Sequence, residues 1–229
     1  MLYGKITEER FHPKSFGRLA QKLLGMLLRE GWIVMTRKAE LSRKTKETVI
    51  DAEMIIEGRG VHKIKTGIPF FDHMLTLMTV HGFFDMKVQA KGDIEVDFHH
   101  TIEDVGLVLG EVLNKALGDR KGIQRYGHAV TPMDETIAMV TIDLSKRPFL
   151  VFRMPPGMLQ AGDSFTMLSK EFFRALATRG GMNLHIDVPY GENEHHMLEA
   201  VFKAAGRALD AASSPDQRLT GVLSTKGAL

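Results

Sequence analysis

A chain of 229 residues is long enough for one domain or two small ones, with a sizeable core in either case. Hydrophobic residues make up 44% and charged residues 25%, an ordinary globular balance. The formal charge is +2, without a Lys/Arg run interleaved with aromatics, which argues against a nucleic-acid binder. With no cysteine, disulfide frameworks and thiolate metal sites are excluded, so any metal rests on His and carboxylate. The same absence suits a cytoplasmic setting, and no uninterrupted apolar stretch is long enough for a membrane span.

In chain order, Ser15 to Val34 places Phe16, Leu19, Leu23, Leu24, Leu27 and Leu28 among Arg18, Lys22 and Arg29, the spacing of a short amphipathic helix. Basic residues interrupt its apolar part and no small-residue cleavage site follows, so it does not read as a signal peptide. Residues 1–34 are expected to be an N-terminal extension: an appendage, a partner-binding helix, or sequence upstream of a true start at Met35.

From Lys46 onward, strand-like and helix-like pieces alternate. TVIDAEMIIEG alternates apolar and polar residues as a half-buried strand does, and Gly58–Gly60 turns the chain. FFDHMLTLMTVHG has helical spacing and stops at Gly82. FDMKVQAKG predicts a strand and Lys91-Gly92-Asp93 a turn. TIEDVGLVLGEVLNKALGD is an amphipathic helix with Val105, Leu109, Val112, Leu113 and Leu117 along one side. AVTPMDETIAMVTIDLS and PFLVFRM then predict strands separated by Ser145–Pro148. SFTMLSKEFFRALATRGG predicts a helix, MNLHIDVP a strand and HHMLEAVFKAAGRALDAA a helix. Strands–helix–strand–helix therefore occurs twice, at about 46–120 and 124–213, and the order implies an internal duplication. Two helices on one face of each sheet give a layered α+β fold.

The same chemistry recurs at the same place in both halves. His99-His100-Thr101-Ile102-Glu103 opens the last helix of the first, and His195-His196-Met197-Leu198-Glu199 that of the second. Residues four apart share a helix face, so His99 and Glu103 can reach one ion together. Adjacent histidines differ by about 100° around the axis and point to different ions. Two facing motifs thus predict a paired-metal centre. His73, on the preceding helix of the first half, and Glu171, on the equivalent helix of the second, extend each half's contribution to three ligands. His81 is a further candidate to line the site. His12, His62 and His128 read as solvated or locally satisfied, and His185, in an apolar strand context, as structural.

At these residues the chain resembles the imidazoleglycerol-phosphate dehydratase family. The resemblance covers nearly all of Arg37 to Leu229 through TRKAELSRKTKET, TGIPFFDHML, HGFFD, GDIEVDFHHTIEDVGLVLG, ALGDRKGIQRYG, PMDET, DLSKRP, GENEHHMLEAVFKAAGRAL and LSTKG. It implies a duplicated fold of the ribosomal protein S5 domain 2-like type, spanning residues 35–229 and ending in a substrate-binding tail. It also implies a cytoplasmic enzyme of histidine biosynthesis, a homo-oligomer of twenty-four copies with active sites between subunits, and two Mn²⁺ ions per site. One ion would take His73, His100, His195 and Glu199; the other His99, Glu103, His196 and Glu171. Many relatives have histidine where this chain has Glu171, and the extra carboxylate makes the site harder and favours Mn²⁺.

The implied substrate carries an imidazole, two adjacent hydroxyls and a phosphate. Dehydration takes a hydroxyl beside the ring and a proton from the next carbon, which is not acidic. Cations on both ring nitrogens would stabilise the imidazolate whose electrons expel that hydroxyl. Glu47 matches the family's substrate-contacting glutamate and is the candidate acid/base. Arg125, Arg147, Lys203, Ser224, Thr225 and Lys226 match family positions for the phosphate, where guanidinium and ammonium donors suit its oxygens. Two other readings stand beside this one. A two-metal phosphoester hydrolase would also use paired ions near Arg and Lys, and a non-catalytic, metal-assembled shell would use them only to hold subunits together.

Overall fold

The computed structural model describes residues 36–159 and 164–229. The anticipated N-terminal helix and the choice of Met35 as a start lie outside those residues. The elements run β1 (Lys38–Lys44), β2 (Thr48–Ile55), β3 (His62–Lys65), α1 (Pro69–His81), β4 (Asp85–Gly92) and α2 (His99–Leu117). The second series is β5 (Tyr126–Met133), β6 (Thr136–Asp143), β7 (Phe149–Arg153), α3 (Phe165–Gly180), β8 (Asn183–Tyr190) and α4 (Glu194–Ser213). The sheets have orders β1-β2-β4-β3 and β5-β6-β8-β7, the same topology twice. In each, the outer pairing of β3 with β4, or β7 with β8, is parallel and the others are antiparallel. The expected duplicated α+β architecture is present.

Alternation explains the sheets. In β2, Thr48, Ile50, Ala52 and Met54 turn inward and are buried, because side chains of a strand alternate between faces. The helices stack the halves together: α1 lies against α4, and α2 against α3. The α2–α3 crossing is close. A Cβ on Gly106 would stand 2.6 Å from the Phe172 carbonyl oxygen, and one on Gly110 2.7 Å from that of Leu176. Phe172, Phe173 and Phe202 fill the core beside this seam, with ring centroids 4.8–5.6 Å apart.

Three features differ from expectation. The strands β1 and β3 occupy sheet edges and are largely exposed. Charged side chains are favoured there, so KAELSRK and HKIK carry little apolar signal. The single strand expected over AVTPMDETIAMVTIDLS is a hairpin, β5–β6, turning at Asp134-Glu135 with Asp134 at φ 46°. Pro132 is tolerated because β5 is an edge strand.

Buried polar links fix the hairpins and helix starts around the site. Asp104, buried on α2, accepts the Thr48 hydroxyl at 2.5 Å and pairs with Arg43, which holds the β1–β2 turn over the start of α2. Asp72 accepts both the Thr66 N–H (2.8 Å) and hydroxyl (2.6 Å), fixing the first turn of α1.

Glycine to alanine within a helix ordinarily stabilises by about 1 kcal/mol. Gly106→Ala should do the reverse, because the added methyl meets the backbone of α3. The expected loss is about 1–3 kcal/mol, read as a lower urea midpoint.

Candidate metal centre and phosphate cavity

The α1–α4 contact brings His73 from the first half onto the motif of the second. His73 Nε2 and His195 Nε2 each lie 3.0 Å from Glu199 Oε1, and one donor atom from each of the three falls within 4.8 Å of the others. His195 reaches Glu199 because four residues of helix separate them. The Asn193 side chain accepts the His195 backbone N–H at 2.9 Å, starting α4 so that its first turn projects both histidines. Lys203, one turn beyond Glu199, donates to Glu199 Oε2 at 2.6 Å. Burial pushes the Glu199 carboxyl up, but hydrogen bonds from Lys203, His73 and His195 outweigh it and bring the pKa to about 2. An ionised carboxylate and two imidazoles converging on one point fit a divalent first-row ion.

The α2–α3 contact repeats the His–Glu pair of one helix, with Glu171 held by Arg174 beside it. His99 Nε2 is 3.3 Å from Glu103 Oε2. Arg174 pairs with Glu171 and stands 3.9 Å from Glu103 Oε1. A cavity of about 400 Å³ opens here, lined by Phe98, His99, Met167 and Glu171 among others. Under the duplication, His99, Glu103 and Glu171 correspond to His195, Glu199 and His73.

The second histidine of each pair turns away. The rings of His99 and His100 are inclined at 85° and those of His195 and His196 at 87°. His100 Nδ1 lies 3.0 Å from Asp93 Oδ2, and His196 Nδ1 lies 2.7 Å from Glu135 Oε2. These hydrogen bonds raise both imidazoles above their ordinary value, and the His196 contact is the first cause holding Glu135 at about 2. Glu47 is exposed in the β1–β2 turn, and its charge contributes to the rise at His100. Within one chain, then, the first four-residue ligand set comes together as a group of three, and the second as the His99–Glu103 pair, with Glu171 joined to Glu103 through Arg174. His100 and His196 stand apart, each facing a carboxylate. Sequence reasoning missed both Asp93 and Glu135. The signal for Glu135 was available: Glu135-Thr136 opens β6 as Glu47-Thr48 opens β2.

A separate cavity of about 1010 Å³ gathers Arg125, Arg147, Ser224, Thr225 and Lys226. Arg147 and Lys226 are exposed. Arg125 is buried, with Nε 2.6 Å and Nη2 3.0 Å from the Asp143 carboxylate and Nη1 donating to the Leu223 carbonyl. The expected phosphate ligand is therefore also the clamp that holds the tail. Gly122 N–H to Gly221 O (3.0 Å) and Asp216 N–H to Gly122 O (2.8 Å) secure the same segment. Lys203 belongs to the Glu199 group instead. His81 lies near Lys203 and Arg207, and burial followed by those two charges lowers its pKa.

His62 and His128 are exposed, as anticipated. His185 lies in β8, as its strand context indicated, on the outward face, exposed and 3.2 Å from Asn183 Oδ1. His12 is outside the described residues. Among the described residues, no helix is long and apolar enough to cross a membrane.

Comparison with known proteins agrees with this architecture. Residues 66–209 match the family described as imidazoleglycerol-phosphate dehydratase. The chain is 60% identical over 195 residues to the imidazoleglycerol-phosphate dehydratase of Desulfosudis oleivorans, covering 85% of this chain and 100% of that protein. It is 55% identical to the enzyme of that name from Syntrophobacter fumaroxidans, over 84% of this chain and 98% of that one. The crystal structure of the Staphylococcus aureus dehydratase superposes with a TM-score of 0.69 at 36% identity, covering 78% of this chain and 99% of that chain. The Pyrococcus furiosus structure, in complex with (S)-C348, gives 0.67 at 36% identity, with 82% and 100% covered. With its duplicated fold and paired histidine motifs, this chain belongs to the imidazoleglycerol-phosphate dehydratase family.

Proposed function

We propose that this chain is a hydro-lyase of histidine biosynthesis, converting imidazoleglycerol phosphate to imidazole acetol phosphate with two Mn²⁺ ions at each site. The observation that carries the reading is the His73–His195–Glu199 convergence, with the His99–Glu103 pair at the equivalent place of the other half, within a member of this family. The donor set is imidazole and carboxylate without thiolate; its carboxylates suit Mn²⁺, while its imidazoles are shared with other first-row ions. When bound, the ions supply Lewis-acid charge to the substrate's ring.

The chain's own residues do the rest. His73, His195 and Glu199 would hold one ion, and His99, Glu103 and Glu171 the other. His100 and His196 complete the two sets when donors from a neighbouring copy close the site. That requirement supports a homo-oligomer, for which we adopt twenty-four copies with active sites between subunits, in the cytoplasm. Glu47 takes the proton from the carbon next to the departing hydroxyl and returns a proton to that leaving group. Its place in an exposed turn, tied down through Thr48 and Asp104, combines access with a fixed backbone. The product enol then becomes the ketone by proton transfer. Arg147, Lys226, Ser224 and Thr225 offer donors to the phosphate, with Arg125 fixing the tail that carries three of them. Lys203 keeps Glu199 ionised, and His81 lines the same side of α1.

Metal removal tests the whole reading. Chelated protein should form no imidazole acetol phosphate, and Mn²⁺ resupply should restore turnover with two ions bound per chain. Product formation at an undiminished rate in the stripped protein would sink the proposal.

Glu47→Gln should lower kcat by about 10²–10⁴-fold, the usual worth of a positioned acid/base, with Mn²⁺ content and particle size unchanged. Full activity in that variant would remove Glu47 from the proton transfer.

Deleting residues 224–229 leaves the Arg125–Leu223 clamp in place. The truncated chain should therefore keep its thermal midpoint while KM rises at least tenfold. An unchanged KM would remove the tail from phosphate binding.

A further inference from the structure

We infer that Glu135 is a positioning residue: its carboxylate accepts the Nδ1 proton of His196 and fixes the tautomer in which Nε2 is the free donor. This rests on the proposed reading of His196 as a metal ligand. The two carboxylate oxygens have different partners. Oε1 accepts the backbone N–H of Asn193 (3.0 Å) and of Glu192 (3.4 Å), so the turn that starts α4 grips one oxygen. Oε2 is left to face His196 Nδ1 at 2.7 Å. An ionised carboxylate only accepts hydrogen bonds, so a neutral imidazole bonded to it carries its proton on that nitrogen. The lone pair is then on Nε2, and the ring is held from behind in the manner of metal-ligating histidines. The adjacent Asp134 takes no part in this contact, because its Oδ2 is 3.9 Å from Nδ1, beyond hydrogen-bond reach, on a side chain 69% exposed.

The duplication gives this assignment a second support. Glu47-Thr48 and Glu135-Thr136 occupy the same place in the two halves, the turn entering the second strand. Each turn lies beside the second histidine of its own half's motif. In the first half Asp93 takes the contact with His100 Nδ1 at 3.0 Å, and Glu47 is left exposed. In the second half the glutamate itself takes the contact. The twin carboxylates have thus parted roles: one stays free to move protons, and the other is committed to holding a ligand.

The test is a Mn²⁺ titration of the full chain against a chelating indicator, for wild type, Glu135→Gln, Asp134→Asn, His196→Ala and the Glu135→Gln/His196→Ala pair. Thermal unfolding in chelator is read alongside. A glutamine has one acceptor oxygen, which can serve the turn or the imidazole but not both. Glu135→Gln should therefore weaken Mn²⁺ binding at the affected site about 10–100-fold, with the metal-free midpoint near wild type and Asp134→Asn without effect. In the His196→Ala background the further loss should vanish, because the effect acts through that ring. Wild-type affinity in Glu135→Gln, or an equal loss with and without His196, would overturn the inference and leave Glu135 as a turn clamp. Should the glutamine variant not fold, ¹⁵N spectra of the metal-free wild-type chain decide: a ring proton on Nδ1 of His196 supports the inference and one on Nε2 overturns it. A wild-type chain that binds no Mn²⁺ would overturn the metal reading together with this inference.

Discussion

Everything in the candidate site depends on two helices from different halves lying side by side. The donors His73 and Glu199 are 126 residues apart in sequence and 3.0 Å apart in space, and only the packing of α1 on α4 joins them. The same holds for α2 and α3, where bare glycine faces let the backbones approach. Cores of this density transmit displacement rather than absorb it. A shift of α3 outward would therefore carry Glu171 away from His99 and Glu103 while every local hydrogen bond survived. The candidate metal centre is a property of the seam between the repeats: His73 comes from one and His195 and Glu199 from the other.

That arrangement also explains why the motif is a pair of histidines. One helical turn presents the first histidine and the glutamate to the partner helix. The second histidine, about 100° around the axis, faces away from that seam. In both halves it finds a carboxylate, Asp93 or Glu135, at hydrogen-bond distance. Each motif thus has one side that meets the partner helix and one side whose ring is oriented through Nδ1, with no hydrogen bond to its Nε2 among the described residues. An assembly that apposes copies at these faces would close both sites at once, which couples metal binding to association.

Much of this was legible in the sequence. The four helices were readable because their apolar residues recur at helical spacing, and the duplication because the element order and the histidine motifs recur together. The closeness of His99 to Glu103 and of His195 to Glu199 followed from i,i+4 geometry. Other features were not legible, for physical reasons. Charged edge strands such as KAELSRK pack only one weakly apolar face, so alternation is faint. The β5–β6 turn at Asp134-Glu135 sits inside a continuous run of strand-forming residues. His185 has apolar sequence neighbours, yet strand alternation turns it outward. Asp93 and Glu135 carried no signal as isolated acids. Their roles come from distances between segments, and only the repeated Glu-Thr pair offered a handle. Arg125 stood out only through the family resemblance, and its engagement by Asp143 and the tail was not legible.

The two three-residue groups are related by duplication, but their electrostatics differ. The α1–α4 group has two imidazoles and one carboxylate, with Lys203 donating to that carboxylate. The α2–α3 group has one imidazole and two carboxylates, with Arg174 beside both. Counting ligands alone, the second group carries one more negative charge. Its two acids repel each other unless a cation stands between them, and a half-exposed arginine meets that need only loosely, since screening weakens such pairs. A divalent ion would satisfy it better, and carboxylate oxygens prefer a hard one. The extra carboxylate at Glu171 therefore makes the α2–α3 group the harder of the two donor sets, on the same kind of helix seam that joins His73 to Glu199.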